Sequence, residues 1–587
     1  MFILSSISAI AGALLLQSPD TLQSASVSAE RGIVVSRTDT VKVGGSRTVT
    51  ELLLQSPGMT VSDNGGLAGL KTLNLRGLGS TNTSILVDGV RVGNVQSGQP
   101  DLGMFCMDNF RGVVIDYAQN SVSFITSRPS FTDGTVSGRF GCEAGSFSSF
   151  LPSGRLDFRL SDRLSLSATA AGTFSEGDYE YSDGIRRHNN DISRISGGID
   201  LFGLMDRGDW MAKVWYNGSD RGTPGSVSWP STDRQQDRNY LVQGTLRKTV
   251  SRTYSLTLSA KASLDDLFYQ SSYGDSDYSQ KEFQLNSTHR FRVIRWLDLC
   301  AAEELQLDDL ASSFYDALRL STRVSGGAEI RLGPLKADLT CEYTGTSDRD
   351  ALSTNVISPA LDFRIKAMET LDIVGFVRRA YRTPTFNELY YPGYGNPVLK
   401  PEDAFLSDLG LDWSKKLSQS WFLKAKTDVW FNRLSDKITS APSKEDPSLW
   451  MPFNIDVVNA FGLDAEAGAG YSSGDLRSGI DARYSFNKAD GVPYLSKHTL
   501  VVAADVSLKS WSFDAVMNSR SGRRDSYGEM PDWNTLDLFL SKSFDIRKVG
   551  LLAIKVSCRN IFDNRYDLVT DYPMQGRNYL FGAEIKF

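Results

Sequence analysis

The chain has 587 residues with 63 basic and 69 acidic side chains, a net charge of −6, so no electrostatic footprint for nucleic acid is present. A water-soluble chain this long would divide into several domains, because a single core stops growing near ~250–300 residues. Aromatic residues make up 11%, with 51 glycines and only three histidines, a mix that favours strands and turns over helices.

Residues 2–16 form an apolar run with the length of a secretory h-region, too short for the ~20 residues of a membrane-spanning helix. Residues 1–23 are therefore expected to be a signal peptide, although the usual positive n-region is missing. The stretch "LNLRGLGSTNTSILVDGVRVG" (73–93) has glycines spaced like a phosphate-cradling turn. A dinucleotide site needs a helix after those glycines. Here they lead instead into a strand at Ser84–Val87, an Asp88-Gly89 turn and another extended piece, which is a hairpin signal. No nucleotide site is formed.

Five cysteines, Cys106, Cys142, Cys300, Cys341 and Cys558, stand far apart without metal-site spacing, and an odd count builds no disulfide framework. Most occupy apolar positions of alternating segments and read as small hydrophobes.

Beyond residue 150 the hydrophobic period is two. Tyr254, Leu256, Leu258, Ala260, Ala262 and Leu264 alternate with polar residues; so do Leu335, Ala337, Leu339, Cys341 and Tyr343, and Leu552, Ile554, Val556 and Cys558. A soluble sandwich or a membrane barrel would both give this pattern. Three features favour the barrel. Strands succeed one another without helices for more than four hundred residues. Short turns ("DRLS", "SRTYS") alternate with polar stretches such as "YQSSYGDSDYSQKEF" (269–283). The final segment alternates up to Phe587. From Gly141 onward, at ~20 residues per strand with its connections, about 22 strands fit, a size that needs a plugged lumen.

The segment "TVTELLLQSPGMTVSDNGGLAGLKTLNLRGLGSTNTSILVDGVRV" (48–92) resembles the plug domain of the TonB-dependent outer-membrane receptors. "RRAYRTPTFNELYYPGYGNPVLKPEDAFLSDLGL" (378–411) and "CRNIFDNRYDLVTDYPMQGRNYLFGAEIKF" (558–587) resemble barrel signatures of the same family, in the same order. The resemblance implies a leader and α/β plug over 24–130 inside a transmembrane antiparallel β-barrel over 131–587, in the bacterial outer membrane. It also implies active uptake of a scarce ligand rather than catalysis, with no required cofactor. Arg76, Gly77, Asp88 and Gly89 become internal plug residues, the glycines permitting tight turns. The partners implied are outer-membrane lipid, a small-molecule ligand and periplasmic TonB, with a surface lipoprotein as a further candidate. TonB would pair by strand addition with a box at Ser24, Ala25, Ser26, Val27, Ser28 and Ala29. One departure stands out. "NFRGVVIDYAQNSVSFITSRPS" (109–130) lacks the glycine-rich stretch usual before the barrel, so the plug is expected to be shortened. A surface-binding protein with a trimmed plug that does not transport is the alternative from another class. An outer-membrane enzyme would need clustered acid, base and nucleophile, and no convincing Ser/His/Asp arrangement is visible.

Within the family the resemblance is nearest to the cobalamin receptors. Their plug-apex loops look like "SDNGGLAGL" (62–70) and "RVGNVQSGQPDLGMF" (91–105), which places Asn64, Leu67, Asn94, Gln96, Ser97 and Gln99 towards a large neutral corrinoid. Such receptors also order outer loops with calcium, and Asp178, Glu180, Asp183 and Asp191 are hard oxygen ligands of the kind that ion takes. Haem receptors usually offer a histidine between the two barrel signatures, and none is present here. Ferric siderophores remain a competitor, because Tyr390, Tyr391 and Tyr394 suit such a site or, equally, an aromatic belt at the membrane interface.

Overall fold

The computed structural model describes residues 37–42, 48–131, 134–349, 353–444, 446–489, 491–547 and 549–587. The expected signal peptide and TonB box lie outside the described residues.

The apolar/polar alternation resolves into 22 antiparallel strands, among the described residues, closed into one barrel. Each strand pairs with its sequence neighbour, and the last, Asn578–Lys586, pairs with the first, Val136–Gly145, through Leu580↔Gly145 to Lys586↔Arg139. Closure leaves no sheet edge, the condition under which strands can lie in hydrocarbon. The alternating positions read from the sequence point outward: Leu258, Leu339, Tyr343, Ile554 and Val556 are all exposed. Their odd-even partners face a polar lumen where Lys213, Lys261, Gln284 and Asp298 are buried.

The two ends differ. At one, two-residue turns such as Asp206–Arg207, Gly333–Pro334 and Gly474–Asp475 join the strands. At the other, longer connections run over residues 176–191, 383–401 and 560–577, which marks the outer side. The polar stretch 269–283 is not one of these connections. Strands Tyr254–Gln270 and Ser276–Ile294 stay paired up to Tyr269↔Ser276, leaving five residues between them. Strands reach 24 residues at Trp450–Ser473, well past the ~9–11 a membrane needs, because the ladder continues wherever backbone partners persist.

Inside the barrel sits a five-stranded sheet in the order Thr38–Lys42, Phe110–Asp116, Ser121–Thr126, Ser84–Val87, Val90–Arg91, with a separate hairpin of Met59–Asp63 and Lys71–Leu75. Its α-helical part among the described residues is short, one five-residue helix, Val49–Leu53. Thr48 and Glu51 start it by capping each other's backbone N–H groups. Leu53, Val61, Leu73, Val87, Val113 and Phe124 fill the core between these pieces. The glycines of the stretch 73–93 lead to a single 3-10 turn, Ser80–Asn82, and then a strand, so no α-helix N-terminus faces them. Asp88 and Gly89 form a two-residue hairpin turn with φ of +51° and +87°, closed by Val87↔Val90. After Asp116 the chain turns at Tyr117–Asn120 and returns as Ser121–Thr126, and the first barrel strand starts ten residues later.

The outward face makes a direct prediction. Leu409→Arg, at a position 57% exposed, should cost about 2–4 kcal/mol if it lies near the bilayer midplane, read from reversible unfolding in phospholipid vesicles. A cost near zero would mean that this face does not meet hydrocarbon.

Candidate functional site

The plug meets the barrel through charges that the sequence separates by hundreds of residues. Arg76 is 3% exposed and donates from Nη1 to Asp408 (2.7 Å) and from Nε and Nη2 to one Asp464 oxygen (3.1 and 2.9 Å). Its guanidinium lies 4.2 Å from the Tyr117 ring centre and 5.4 Å from that of Trp430. Arg37 donates to Asp412 (2.5 Å) and to Asp428. On another wall strand, Lys213 reaches Asp88 (2.5 Å), whose carboxylate also accepts from the Thr126 O–H (2.6 Å) and N–H (2.9 Å). Asp101 pairs with Arg221 (2.7 Å) and Glu51 with Arg559 (2.5 Å). Arg520 donates to the carbonyls of Met59 and Leu54, and Lys261 to that of Arg91. Arg76 and Asp88, expected as internal to the plug, therefore work at its boundary with the wall. Buried charges need partners, and the partners are on the barrel. Sequence reasoning missed every wall residue in this set; an inward-facing Asp on a strand otherwise facing lipid was the signal available.

The two apex loops lie at the outer end. Loop 63–71 is closed by Lys71, whose ammonium donates to the carbonyls of Gly66 (2.8 Å) and Gly69 (2.7 Å). A Cβ on Gly65 would meet the Tyr179 hydroxyl at 2.5 Å, so this loop sits tightly under the outer connections. Asn64 and Leu67 are half-buried there, and Leu67 lines a cavity of about 560 Å³ between the plug and the first and last barrel strands. In the second loop Asn94 Oδ1 accepts from the Ser97 N–H (2.9 Å), and Ser97 is exposed. The carbonyls of Val95 and Gln96 accept from the N–H groups of Phe386 and Asn387 at the start of a short barrel helix, Phe386–Tyr390. Asn94 also lines a cavity of about 450 Å³ between the plug and the wall from Thr257 to Leu406, mixed in charge with Asp338, Glu342, Arg378 and Arg382.

Gln99 is different. It is 5% exposed, its amide donates to the carbonyls of Leu73, Ser80 and Thr83, and its oxygen accepts from the Leu73 N–H. It staples the plug and is not available to a ligand, because the backbone turns it inward after Gly98. Tyr390, Tyr391 and Tyr394 lie on the connection beyond the strand ends, not in an interfacial belt. Tyr390 and Tyr391 pack with Phe314 and Tyr315 in an aromatic wall, Tyr390 donates to Asp348 (3.1 Å), and Tyr394 shares a hydrogen bond with Ser440 (2.6 Å).

The four acidic residues considered for calcium are not gathered. Asp178 receives Arg186 (2.6 Å), Asp191 pairs with Arg234 (2.9 Å), and Arg565 lies 2.7 Å from Asp183 and 3.9 Å from Glu180. Among the described residues no group of three or more His, Cys, Asp or Glu side chains is set to hold a metal ion. Arginines supply the positive charge a cation would have brought. Of the cysteines, Cys142 and Cys341 are exposed on outward strand positions; Cys300 faces the lumen instead, with its thiol 3.4 Å from Glu329.

A barrel with a lumen filled by a charge-bonded plug is a closed channel, which a large solute can cross only if the plug moves or rearranges. Residues 176–561 match the family model "TonB dependent receptor-like, beta-barrel", and residues 22–129 the "TonB-dependent Receptor Plug Domain". The chain belongs to the TonB-dependent receptors, outer-membrane transporters that work with TonB and a small-molecule ligand and are not enzymes. It is 24% identical over 572 residues to the vitamin B12 transporter BtuB of Vibrio vulnificus (strain YJ016), covering 92% of this chain and 90% of that one. Among solved structures it is similar to the FrpB iron transporter from Neisseria meningitidis (F3-3 variant), at TM-score 0.77 and 13% identity, covering 94% of this chain and 99% of that one. It is similar also to the copper transporter OprC, at TM-score 0.77 and 14% identity, with the same coverages. At such identities the structures share the fold alone.

The Asp88 carboxyl is held below its usual range: burial alone would raise it, and Lys213 with the two Thr126 donors more than reverses that. The pair therefore adds docking stability that is complete above pH ~4, the ordinary Asp value, and is lost as pH falls through the lower folded value. Lys213→Met should leave a lone buried carboxylate and weaken plug docking by about 3–5 kcal/mol at neutral pH, a deficit that shrinks in acid as Asp88 takes a proton. Hydrogen exchange of Ser121–Thr126 against pH measures both effects, and unchanged exchange in the variant at pH 7 refutes them.

Arg76→Ala should leave Asp408 and Asp464 without their cation and cost about 3–5 kcal/mol, with Arg76→Lys recovering little because one nitrogen replaces the three separate guanidinium nitrogens that reach the two carboxylates. Limited proteolysis of the plug is the check; full protection in Arg76→Ala would show that the cluster does not hold the plug.

Proposed function

We propose that this receptor imports a corrinoid. The observation that carries the reading is the likeness over nearly the whole chain to a curated vitamin B12 transporter, in a protein whose plug apex offers short neutral hydrogen-bonding groups at the outer end. Asn64, Asn94, Gln96 and Ser97 would hold the amide-rimmed ligand, and Leu67 would supply apolar contact beside the roof of Tyr179. Each hydrogen bond to such a ligand contributes roughly 0.5–1.5 kcal/mol net. Haem has less support: the connection 383–401 has no histidine, His289 and His498 stand on barrel strands, and His188, exposed on the outer connection 176–191, is the one imidazole placed on an outer connection. Energy would enter through residues 24–29, pairing with TonB.

A ferric chelate is the second reading, favoured by one feature, the aromatic wall of Phe314, Tyr315, Tyr390 and Tyr391 beside the second apex loop.

Titration of the purified full-length protein with cyanocobalamin and a ferric siderophore panel separates the two. Binding of the corrinoid is expected, with Asn94→Ala and Gln96→Ala each weakening it about 2- to 10-fold. Binding only of siderophores would overturn the corrinoid reading and leave the transporter class intact. Deleting residues 21–29 should abolish energised uptake by whole cells and leave binding unchanged, and uptake that survives the deletion excludes that segment as the coupling site.

A further inference from the structure

The outward face of the barrel changes character at its outer rim over four neighbouring strands, Trp421–Pro442, Trp450–Ser473, Leu476–Ala489 and His498–Leu508. Phe431, Phe461, Phe486 and Leu500 face lipid there, one on each strand. The next outward position above each of them is Arg433, Asn459, Lys488 and His498 in turn. A row of apolar side chains thus carries a row of hydrogen-bond donors, and none of the eight is a carboxylate.

The height of the upper row follows from the lower rim. Trp421 and Tyr471 pair there with ring centres 4.9 Å apart, and Arg433 and Asn459 each stand twelve residues further up their strands. Lys488 is also twelve residues from Leu476, the lower end of its own strand. At ~3.3 Å per residue and ~40° tilt, twelve residues rise about 30 Å, the thickness of the hydrocarbon core. The cations therefore stand where acyl chains end and headgroups begin.

Three other outward cations of this rim are compensated by the barrel itself. Arg379 holds Asp403 (2.6 Å), Arg238 stands directly across from Asp266, and Lys281 directly across from Asp309. Arg433 and Lys488 have no such carboxylate among the described residues, and Lys488 rests over the Phe461 ring (5.7 Å). The Tyr484 hydroxyl engages His498 at Nδ1 (2.8 Å), which leaves Nε2 for an outside group.

Two uncompensated cations above an apolar row fit a ligand that is anionic at one end and acylated at the other. Arginine forks to phosphate oxygens, and lysine meets phosphate as a point charge. The upper row spans three strand spacings, about 14 Å, broad enough for a headgroup of two linked sugars. We propose that this patch binds an acylated, phosphorylated sugar lipid of the outer leaflet. Its phosphates meet Arg433 and Lys488, its sugar oxygens accept from Asn459 and His498, and its acyl chains lie along Phe431, Phe461, Phe486 and Leu500.

Native mass spectrometry of the full-length protein in detergent, delipidated and then titrated with an acylated glucosamine disaccharide bearing two phosphates (lipid A), tests this. Saturable binding is expected, and the same lipid without its phosphates should bind at least about tenfold more weakly. Arg433→Gln and Lys488→Gln should each weaken binding about 5-fold, and together about 30-fold. Arg238→Gln, at a compensated position, should leave it unchanged, and every variant should keep the heat-modifiable mobility of a folded barrel. Absence of binding, equal affinity for the phosphate-free lipid or for phosphatidylglycerol, or undiminished binding by the folded double variant would each overturn the proposal.

Discussion

A peptide group that leaves water for hydrocarbon must find its hydrogen-bond partner within the protein, and that constraint governs everything else in this molecule. One sheet can meet it only by closing on itself, which is why Asn578–Lys586 lies against Val136–Gly145 although the two are more than four hundred residues apart. Closure fixes two faces with opposite demands. Outward positions across the bilayer are predominantly apolar, so the wall's charged side chains at that level turn mostly inward, and a lumen ringed by 22 strands is too wide for wall side chains to fill. The plug answers both demands: it occupies the volume and neutralises the wall.

The neutralisation is specific. Arg37 and Arg76 meet carboxylates of three wall strands, Lys213 meets Asp88, and Arg221 meets Asp101, so the plug is fixed from several directions at once. Asp88 shows how local and global requirements combine. The two-residue turn needs φ > 0, which Asp tolerates, and its carboxylate then spans to Thr126 inside the plug and to Lys213 outside it.

What was legible in the sequence is what local chemistry decides. Period-two alternation announced strands and their faces, and Asp88-Gly89 announced its hairpin, because each depends on residues within a few positions of one another. The pairing of Arg76 with Asp408 and Asp464 depends on closure of the whole sheet, and nothing near Arg76 encodes it. Gln99 illustrates the same limit inside a loop: a polar residue between Gly98 and Pro100 reads as solvated, yet three carbonyls of the plug converge on its amide. The acids of 176–191 looked like cation ligands until Arg234, from the barrel strand Pro230–Thr249, and Arg565, from the connection 560–577, arrived beside Asp191 and Asp183. The stretch 269–283 looked like a loop because polarity was taken for irregularity; above the bilayer both faces of a strand are wet, so polarity there carries no information about pairing.

The way the plug is held also decides how it can leave. An apolar cork would gain so much from burial that withdrawing it into water would be prohibitive, and an apolar lumen could not refill with water afterwards. Buried ion pairs behave differently, since the desolvation they require offsets most of their attraction and breaking both partners into water restores both hydration shells. They fix position strongly against loss of one partner while contributing little net free energy when both are released together. The cavities of about 450 and 560 Å³ along the seam extend this logic, because water at the polar lining can reach Asp88 and the Glu51–Arg559 pair without first crossing a dry core. A plug fastened through Arg76, Asp88 and Asp101 is thus rigid against thermal wandering and yet separable by a force that moves it as a unit, the combination a gated importer needs.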